Sequence, residues 1–350
     1  MKNFLIILLA LIIGGGGGYF AWKYLAGRGG EQPRSEAITT ENYREPFMWG
    51  VNVNPSAVGN YNEDTWATQM AFVKNLGAQW IRLSFDNEPS NKFAIFDDMI
   101  SYAQGQGIKV YLGLGSTKPI LTIDDTYKDG YQVGHEIAIH YKGKIQYYQL
   151  MSEQGSTALK GSSYSGESES DYDLEKYTKV REWMKGASAA IRKVDPNAYL
   201  VITDQWTHYA YIQMLLRDKV DFDIIGWNWF GDMGMMGERK LTDGTLLIDK
   251  LKSFNKPIIL SEVNYRPGKN GMDEAKQSDF IKKMADWAYN SNVIKGFIVH
   301  ELVDLAPVGS RKADYYGLIK FKTSQSGGYK FGDAKQAFLT YKEIISRYSR

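Results

Sequence analysis

Two glutamates each follow an apolar, strand-like run of this sequence. Glu153 comes after residues 145–152, and Glu262 comes after residues 256–261. A carboxylate is costly in an apolar interior, so one at the end of a strand is expected at the edge where chemistry takes place. Two carboxyl groups that face each other across a sugar linkage can cleave it, because one protonates the leaving oxygen while the other attacks the anomeric carbon. The pair therefore predicts acid–base chemistry on a glycosidic bond.

The elements that must position these two residues follow a repeating pattern of short apolar runs and amphipathic stretches. Strands are predicted at 47–53, 80–84, 109–113, 146–151, 199–203, 223–227, 257–261 and 295–299, and helices at 63–76, 96–106, 174–194, 208–217, 276–290 and 333–348. This alternation predicts an α/β fold with a parallel sheet and right-handed crossovers. Eight strands favour a closed (β/α)8 TIM barrel, and an open doubly wound sheet is the alternative. No glycine-rich phosphate loop follows the first strand.

The N-terminal residues 1–26 are predicted to be a transmembrane signal anchor. The uncharged run 3–22 is long enough to cross a bilayer as a helix, and its last aromatic residues resemble an interfacial belt. A cleaved signal peptide is the alternative. Residues 27–45 are predicted to be a polar linker, and 46–350 a single catalytic domain. The domain is therefore expected to be membrane-anchored and extracytoplasmic, or secreted if the segment is cleaved.

Composition excludes several classes of protein. The net charge of +2, from 42 basic and 40 acidic residues, gives no electrostatic basis for binding nucleic acid. Cysteine is absent, which excludes disulfides and thiolate chemistry. Four histidines without an HExxH pattern give no support for a catalytic metal, and no cofactor is predicted. The oligomeric state is left open.

The interval between the fourth and fifth predicted strands is unusually long. Its surplus, residues 154–173, is rich in serine and glycine and directly follows Glu153. In a barrel this loop lies on the catalytic face, where it would form a wall or a lid of the cleft. The alternative is a mobile surface loop without a specific role.

Three segments, residues 80–84, 148–153 and 256–262, resemble motifs of clan A glycoside hydrolases. This (β/α)8 group includes cellulases, mannanases and xylosidases. In those families the glutamate of an Asn-Glu pair ends the fourth strand as the acid/base, and a glutamate ending the seventh is the nucleophile. The resemblance implies that Glu153 is the acid/base and Glu262 the nucleophile of a retaining reaction. It also implies that Arg82 on the second strand supports the nucleophile. Residues 297–302 and 315–319 resemble the eighth strand and the segment after it.

The sequence departs from the pattern of the family at three positions within the likeness, which spans about residues 47–320. Ser152 replaces the asparagine before the acid/base, Asn228 stands where the family often has histidine, and His300 stands where an aromatic platform is common. These departures bear on the substrate more than on the reaction type. They also leave open a barrel that binds sugars without cleaving them.

Further residues at strand ends are candidate sugar contacts, although packing or loop support is the alternative for each. The predicted substrate-binding residues are Arg82, Asn52, Asn54, Ser152, Asp204, Gln205, Trp206, Trp227, Asn228, Trp229, His300 and Glu301. For the acid/base role, burial or the charge of Glu262 should raise the pKa of Glu153, while Arg82 should keep Glu262 ionised.

The sequence as a whole predicts a retaining O-glycoside hydrolase that acts on β-linked poly- or oligosaccharides. One alternative is a non-catalytic, membrane-tethered carbohydrate-binding barrel that serves polysaccharide export or assembly. Another is a transglycosylase, which shares the covalent intermediate and differs in the acceptor that replaces water.

Overall fold

The computed structural model describes residues 36–54, 63–84, 93–115, 122–267, 271–305, 315–323 and 329–349. Contacts group Ala37–Arg350 into one unit. The segment predicted to be an anchor, 1–26, lies outside the described residues. Within the described ranges, no helix is both long enough and apolar enough to cross a membrane.

Eight parallel strands close into a barrel in their sequence order, with the last strand pairing with the first. They are β1 Met48–Asn52, β2 Trp80–Ser84, β3 Lys109–Leu114, β4 Tyr147–Leu150, β5 Tyr199–Gln205, β6 Ile224–Phe230, β7 Ile258–Asn264 and β8 Ile294–Val299. Each lies on a predicted strand, so the TIM-barrel prediction is confirmed. A separate antiparallel hairpin consists of β9 Ile319–Thr323 and β10 Tyr329–Ala334.

Helices follow most of the strands, as expected for right-handed crossovers. They are α1 Glu63–Leu76, α2 Phe93–Gly105, α3 Ile123–Tyr141, α4 Gln154–Ala158, α5 Leu174–Val194, α6 Tyr209–Arg217, α7 Leu247–Lys252, α8 Glu274–Asn290 and α9 Gln336–Tyr348. The helix predicted at 333–348 begins slightly later, because its first residues belong to β10.

Helix α3 was not predicted from the sequence, and its glycines explain why. Gly130 and Gly134 lower the helical propensity of the segment, yet both lie against α5. A Cβ at Gly130 would come 2.1 Å from the carbonyl oxygen of Trp183, and one at Gly134 would come 2.6 Å from that of Ala187. The glycines therefore permit a close approach of the two helices, a tertiary reason that local propensity does not report.

The alternation of side chains along the strands divides the core into two regions. One buried cluster fills the barrel, and a larger one packs between the strands and the helices. The interior cluster includes Met48, Trp80, Tyr111, Tyr147, Val201, Ile224, Ile259 and Ile298. Nearer the carboxyl ends of the strands, the inward positions become polar, as at Asn52, Arg82, Gln149 and Asn228. This polar layer holds the candidate site.

The last part of the predicted linker 27–45 is folded against the barrel. Tyr43 is buried with the interior cluster, and its hydroxyl lies 3.0 Å from that of Tyr147. The hydroxyl of Tyr199 donates to Glu45 Oε1 at 3.1 Å. Because Tyr147 and Tyr199 begin their strands, this segment covers the amino-terminal end of the barrel. The predicted linker 27–45 is therefore corrected at its carboxyl end, because Ile38 and Tyr43 are buried against the barrel.

Candidate active site

Glu262 lies within β7, near its carboxyl end. Leu260 pairs with Trp227 and Glu262 pairs with Asn228, so Ser261 is an extra residue in this strand. Such a bulge shifts the in–out alternation by one position and redirects the side chain that follows. Glu262 therefore points into the barrel mouth, where it meets a cation from another strand.

That cation is Arg82 of β2, whose Nη1 donates to Glu262 Oε1 at 2.8 Å. Its Nε donates to Gln149 Oε1 at 2.9 Å, and the hydroxyl of Tyr111 donates to the same oxygen at 2.9 Å. Gln149 in turn donates to the carbonyl of Met151. The guanidinium is thus held in one orientation, and it contacts the carboxyl group of Glu262 through a charge-assisted hydrogen bond.

Glu153 follows β4 in a left-handed conformation, with φ 50°, directly before α4. Its Oε1 accepts a hydrogen bond from Asn228 Nδ2 at 2.7 Å, and its Oε2 accepts one from Gln205 Nε2 at 2.9 Å. These donors come from β6 and β5. Unlike Glu262, the carboxyl group of Glu153 is bonded here by neutral amides.

The surroundings of Glu153 raise the pKa of its carboxyl group to about 7. Removal from water is the largest cause, because it disfavours the charged form, and the negative charge of Glu262 adds to it. The hydrogen bond from Asn228 acts in the opposite direction. The carboxyl group of Glu153 is therefore partly protonated near neutral pH.

His300 follows β8 and lies beside Glu262. Its Nδ1 lies 3.0 Å from Asn52 Nδ2 and 3.7 Å from Glu262 Oε2. Burial lowers the pKa of His300, and the charge of Glu262 opposes that change only in part. With the amide of Asn52 donating to Nδ1, the neutral ring carries its proton on Nε2.

No protein-family model matches this sequence, and no curated protein sequence matches it. Solved structures do match. A family 1 β-glucosidase from Thermotoga maritima aligns with a TM-score of 0.64 at 11% identity, over 87% of this chain and 98% of its own. A β-glucosidase from the same organism in complex with deoxynojirimycin gives a TM-score of 0.64 at 11% identity, over 87% of this chain and 99% of its own. This chain has the fold of these β-glucosidases. The likeness to the barrel of glycoside hydrolases is thereby confirmed for the fold.

The two tryptophans of β6 lie away from the barrel mouth. Trp227 and Trp229 are fully buried, because strand alternation turns them toward the helices while Asn228 turns inward. Trp206 stacks on Trp229 with ring centroids 6.1 Å apart, and the guanidinium of Arg239 lies 3.7 Å from the centroid of Trp206. The expectation that Trp227 and Trp229 line a sugar cleft is corrected, because both pack in the core. Trp206 is half-buried, and its role as a sugar contact stays a prediction.

The remaining predicted sugar contacts differ in their exposure to solvent. Ser152 is exposed, and Asn54 is half-buried just beyond β1. Glu301 is buried, and its backbone pairs with that of Leu318. Asp204 is fully buried.

Sequence reasoning missed two residues that hold the side chain of Arg82 in place, Gln149 and Tyr111. Both occupy inward positions of their strands and converge near Arg82. The sequence could have indicated Gln149, because a polar residue at an inward position of a buried strand requires a polar partner. It could not have indicated Tyr111, since a tyrosine in an apolar run is ordinarily a core residue.

The long loop 154–173 is folded onto the carboxyl end of β5. Leu159 and Tyr172 form an isolated bridge, and Tyr172 is buried. Thr207 Oγ1 donates to the carbonyl of Ser165 at 2.7 Å. These contacts favour a fixed wall beside Glu153 over a mobile surface loop.

Proposed function

We propose that this chain is a retaining glycoside hydrolase of β-linked poly- or oligosaccharides. The observation that carries the proposal is the contrast between its two carboxyl groups. Glu262 is bonded to a guanidinium, whereas Glu153 is bonded to amides and has a pKa raised to about 7. Carboxyl groups whose environments separate their protonation states can divide the roles of nucleophile and acid. The fold shared with β-glucosidases supports a β-linked substrate.

In the first step, an oxygen of Glu262 forms a bond to the anomeric carbon while the glycosidic bond breaks. Glu153 gives its proton to the departing oxygen, which leaves as an alcohol. Arg82 occupies Oε1 of Glu262, and His300 is 3.7 Å from Oε2. Oε2 is therefore the oxygen better placed to attack.

In the second step, water attacks the anomeric carbon and releases Glu262 as a carboxylate. Glu153, now ionised, takes the proton of the attacking water and returns to its acid form. Two displacements at one carbon retain its configuration. The hydrogen bonds from Asn228 and Gln205 stabilise the ionised state of Glu153 between the two steps.

The configuration of the first product tests this proposal. The wild-type chain is screened against aryl β-glycosides and β-linked polysaccharides, and the best substrate is followed by proton NMR immediately after mixing. We expect the β-anomer to form first and the α-anomer to appear only by mutarotation. Initial release of the α-anomer would refute double displacement.

The pH dependence of kcat/KM gives a second expected result. Because Glu153 must be protonated to act as the acid and its pKa is about 7, activity should fall as the pH rises through about 7. An ordinary glutamate would place this limb near pH 4.3. A profile measured with a neutral substrate, and still flat up to pH 9, would contradict the assignment.

A second candidate function is a non-catalytic carbohydrate-binding barrel. It is favoured by Ser152, whose exposed, short side chain stands where the related families have asparagine. Binding of a glycan by the wild-type chain without cleavage would support this candidate. Transfer of the glycosyl group to an added sugar in preference to water would instead identify a transglycosylase.

We further propose that residues 1–26 anchor the domain to a membrane, with residues 46–350 outside the cytoplasm. The uncharged run 3–22 supports this proposal. Expression of the full chain, followed by alkaline extraction of membranes and protease treatment of intact cells, tests it. Recovery of a shortened chain in the medium would show cleavage instead.

A further inference from the structure

Asp204, at the end of β5, collects hydrogen bonds from three segments. Its Oδ1 accepts from the backbone N–H of Gln205 at 2.8 Å and lies 2.9 Å from His208 Nδ1. Its Oδ2 accepts from the backbone N–H of Gly155 at 2.8 Å. Gly155 lies in α4, immediately after the turn that carries Glu153. The buried carboxylate of Asp204 thus joins the turn of the acid/base to β5 and to the start of α6.

The contact between Asp204 and Gly155 leaves no space for a side chain. A Cβ on Gly155 would come 1.9 Å from Asp204 Oδ2. The carboxylate therefore packs directly on the backbone two residues beyond Glu153. A buried carboxylate that accepts several N–H groups is held tightly, because each unpaired group would carry a desolvation cost.

A second path leads from the same aspartate to the carboxyl group of Glu153. His208 Nδ1 lies 3.3 Å from Ser156 Oγ, and that hydroxyl accepts a hydrogen bond from Gln205 Nε2 at 3.1 Å. The same Nε2 donates to Glu153 Oε2. His208 uses one ring nitrogen for both contacts, whereas a Ser-His-Asp nucleophile requires both ring nitrogens. The cluster therefore suits positioning and not a separate hydrolytic site.

We propose that Asp204 and Gln205 are positioning residues for the acid/base. Asp204 fixes the turn that carries Glu153, and Gln205 orients its carboxyl group toward the leaving oxygen. This inference rests on the proposed glycoside hydrolase function. Neither residue touches the sugar in this assignment, in contrast to the role expected from the sequence.

Asp204 and Gln205 should shift the pKa of Glu153 in opposite directions. The negative charge of Asp204 raises the pKa of Glu153. The N–H of Gln205 donates to the carboxyl group of Glu153, and a hydrogen bond of this kind favours the ionised form. The other charged groups that act on Glu153 are Glu262 from β7, which raises its pKa, and Arg82 from β2, which lowers it. Both side chains are kept when Asp204 or Gln205 is replaced.

The test compares Asp204→Asn and Gln205→Met in the full chain by the pH profile of kcat/KM. We expect the basic limb to move to lower pH in Asp204→Asn and to higher pH in Gln205→Met, each by about 0.5 pH unit or more. The control is Asp223→Asn. Asp223 is also a buried aspartate, bonded to Arg192 and to the backbone of Leu200 at the other end of the barrel. We expect that variant to be less stable, with an unmoved limb.

A titration that does not depend on turnover separates this proposal from the proposed function. The full chain is labelled with carboxyl-¹³C glutamate, and Glu153→Gln identifies the resonance of Glu153. If the wild type cleaves no glycoside, the hydrolase assignment fails, while opposite shifts of this titration in the two variants still support positioning. Unmoved titrations, or shifts in the same direction, overturn it. Should Asp204→Asn fail to fold, an unshifted Gln205→Met alone overturns it.

Discussion

Replacing Glu262 with glutamine is expected to lower kcat by about 10⁴-fold or more on every substrate that the wild type cleaves. The amide cannot form the glycosyl–enzyme bond, and Arg82 loses the carboxylate to which it donates at 2.8 Å. The loss should not depend on the leaving group, because both good and poor leaving groups require the same attack. Initial rates on aryl β-glycosides with leaving groups of different acidity measure it.

Added azide provides a second measurement, on the shorter variant Glu262→Ala. Truncation of the side chain leaves a space from which a small anion can attack the anomeric carbon directly, in a single displacement. The expected product is therefore an α-glycosyl azide, of configuration opposite to that of the substrate. The control is Glu175→Gln, since Glu175 is 74% exposed on α5, and its turnover should equal that of the wild type. Turnover by Glu262→Gln within tenfold of the wild type would exclude Glu262 as the nucleophile.

The sequence was sufficient to predict the barrel and to select two candidate glutamates, because both depend on local patterns. Alternating strands and helices define a parallel barrel, and a charged residue at the end of an apolar run is visible without a structure. The pairing of Arg82 with Glu262 could be predicted only from the resemblance to a known family. Nothing local connects residues 180 positions apart.

The direction of each side chain at the barrel mouth could not be predicted in the same way. The bulge at Ser261 moves Glu262 to the inner face, and a bulge depends on pairing with β6. On β6 itself, alternation places Asn228 inside and its tryptophan neighbours outside. Trp227 was therefore assigned to a cleft when it belongs to the core. An aromatic residue at a strand end therefore does not by itself predict a sugar contact, because the register of the strand decides whether the ring faces the barrel or the helices.

The role of Asp204 shows a related difficulty. A carboxylate at a strand end predicts a solvent-facing group, because an unpaired buried charge is costly. Here the cost is offset by N–H donors, two from the backbone and one from His208. One of these donors, Gly155, lies 49 positions away in the loop after β4. Only the folded loop brings it close, so nothing in the sequence indicates that this aspartate holds the turn of Glu153.

Glu153→Gln should produce a defect that depends on the leaving group, unlike that of Glu262→Gln. A leaving group that departs as a stable anion needs no proton, so bond cleavage with a nitrophenyl-type glycoside should be slowed little. A natural sugar leaving group needs the proton, and its cleavage should slow by about 10²–10⁴-fold. Pre-steady-state kinetics on both substrate types separates this step from the hydrolysis of the intermediate.

The same variant should also lose the basic limb of its pH profile. Glutamine has no proton to release near pH 7, the value to which burial and Glu262 raise the pKa of Glu153. Asn228→Asp offers a matched comparison, because it keeps Glu153 and replaces a neutral donor at 2.7 Å with a second carboxylate. Its limb should move to higher pH, since two adjacent carboxyl groups resist losing both protons. If Glu153→Gln slowed all substrates equally and kept the basic limb of its pH profile, the proton transfer would belong to another residue. Only loss of the acid itself should produce both a dependence on the leaving group and the loss of this limb.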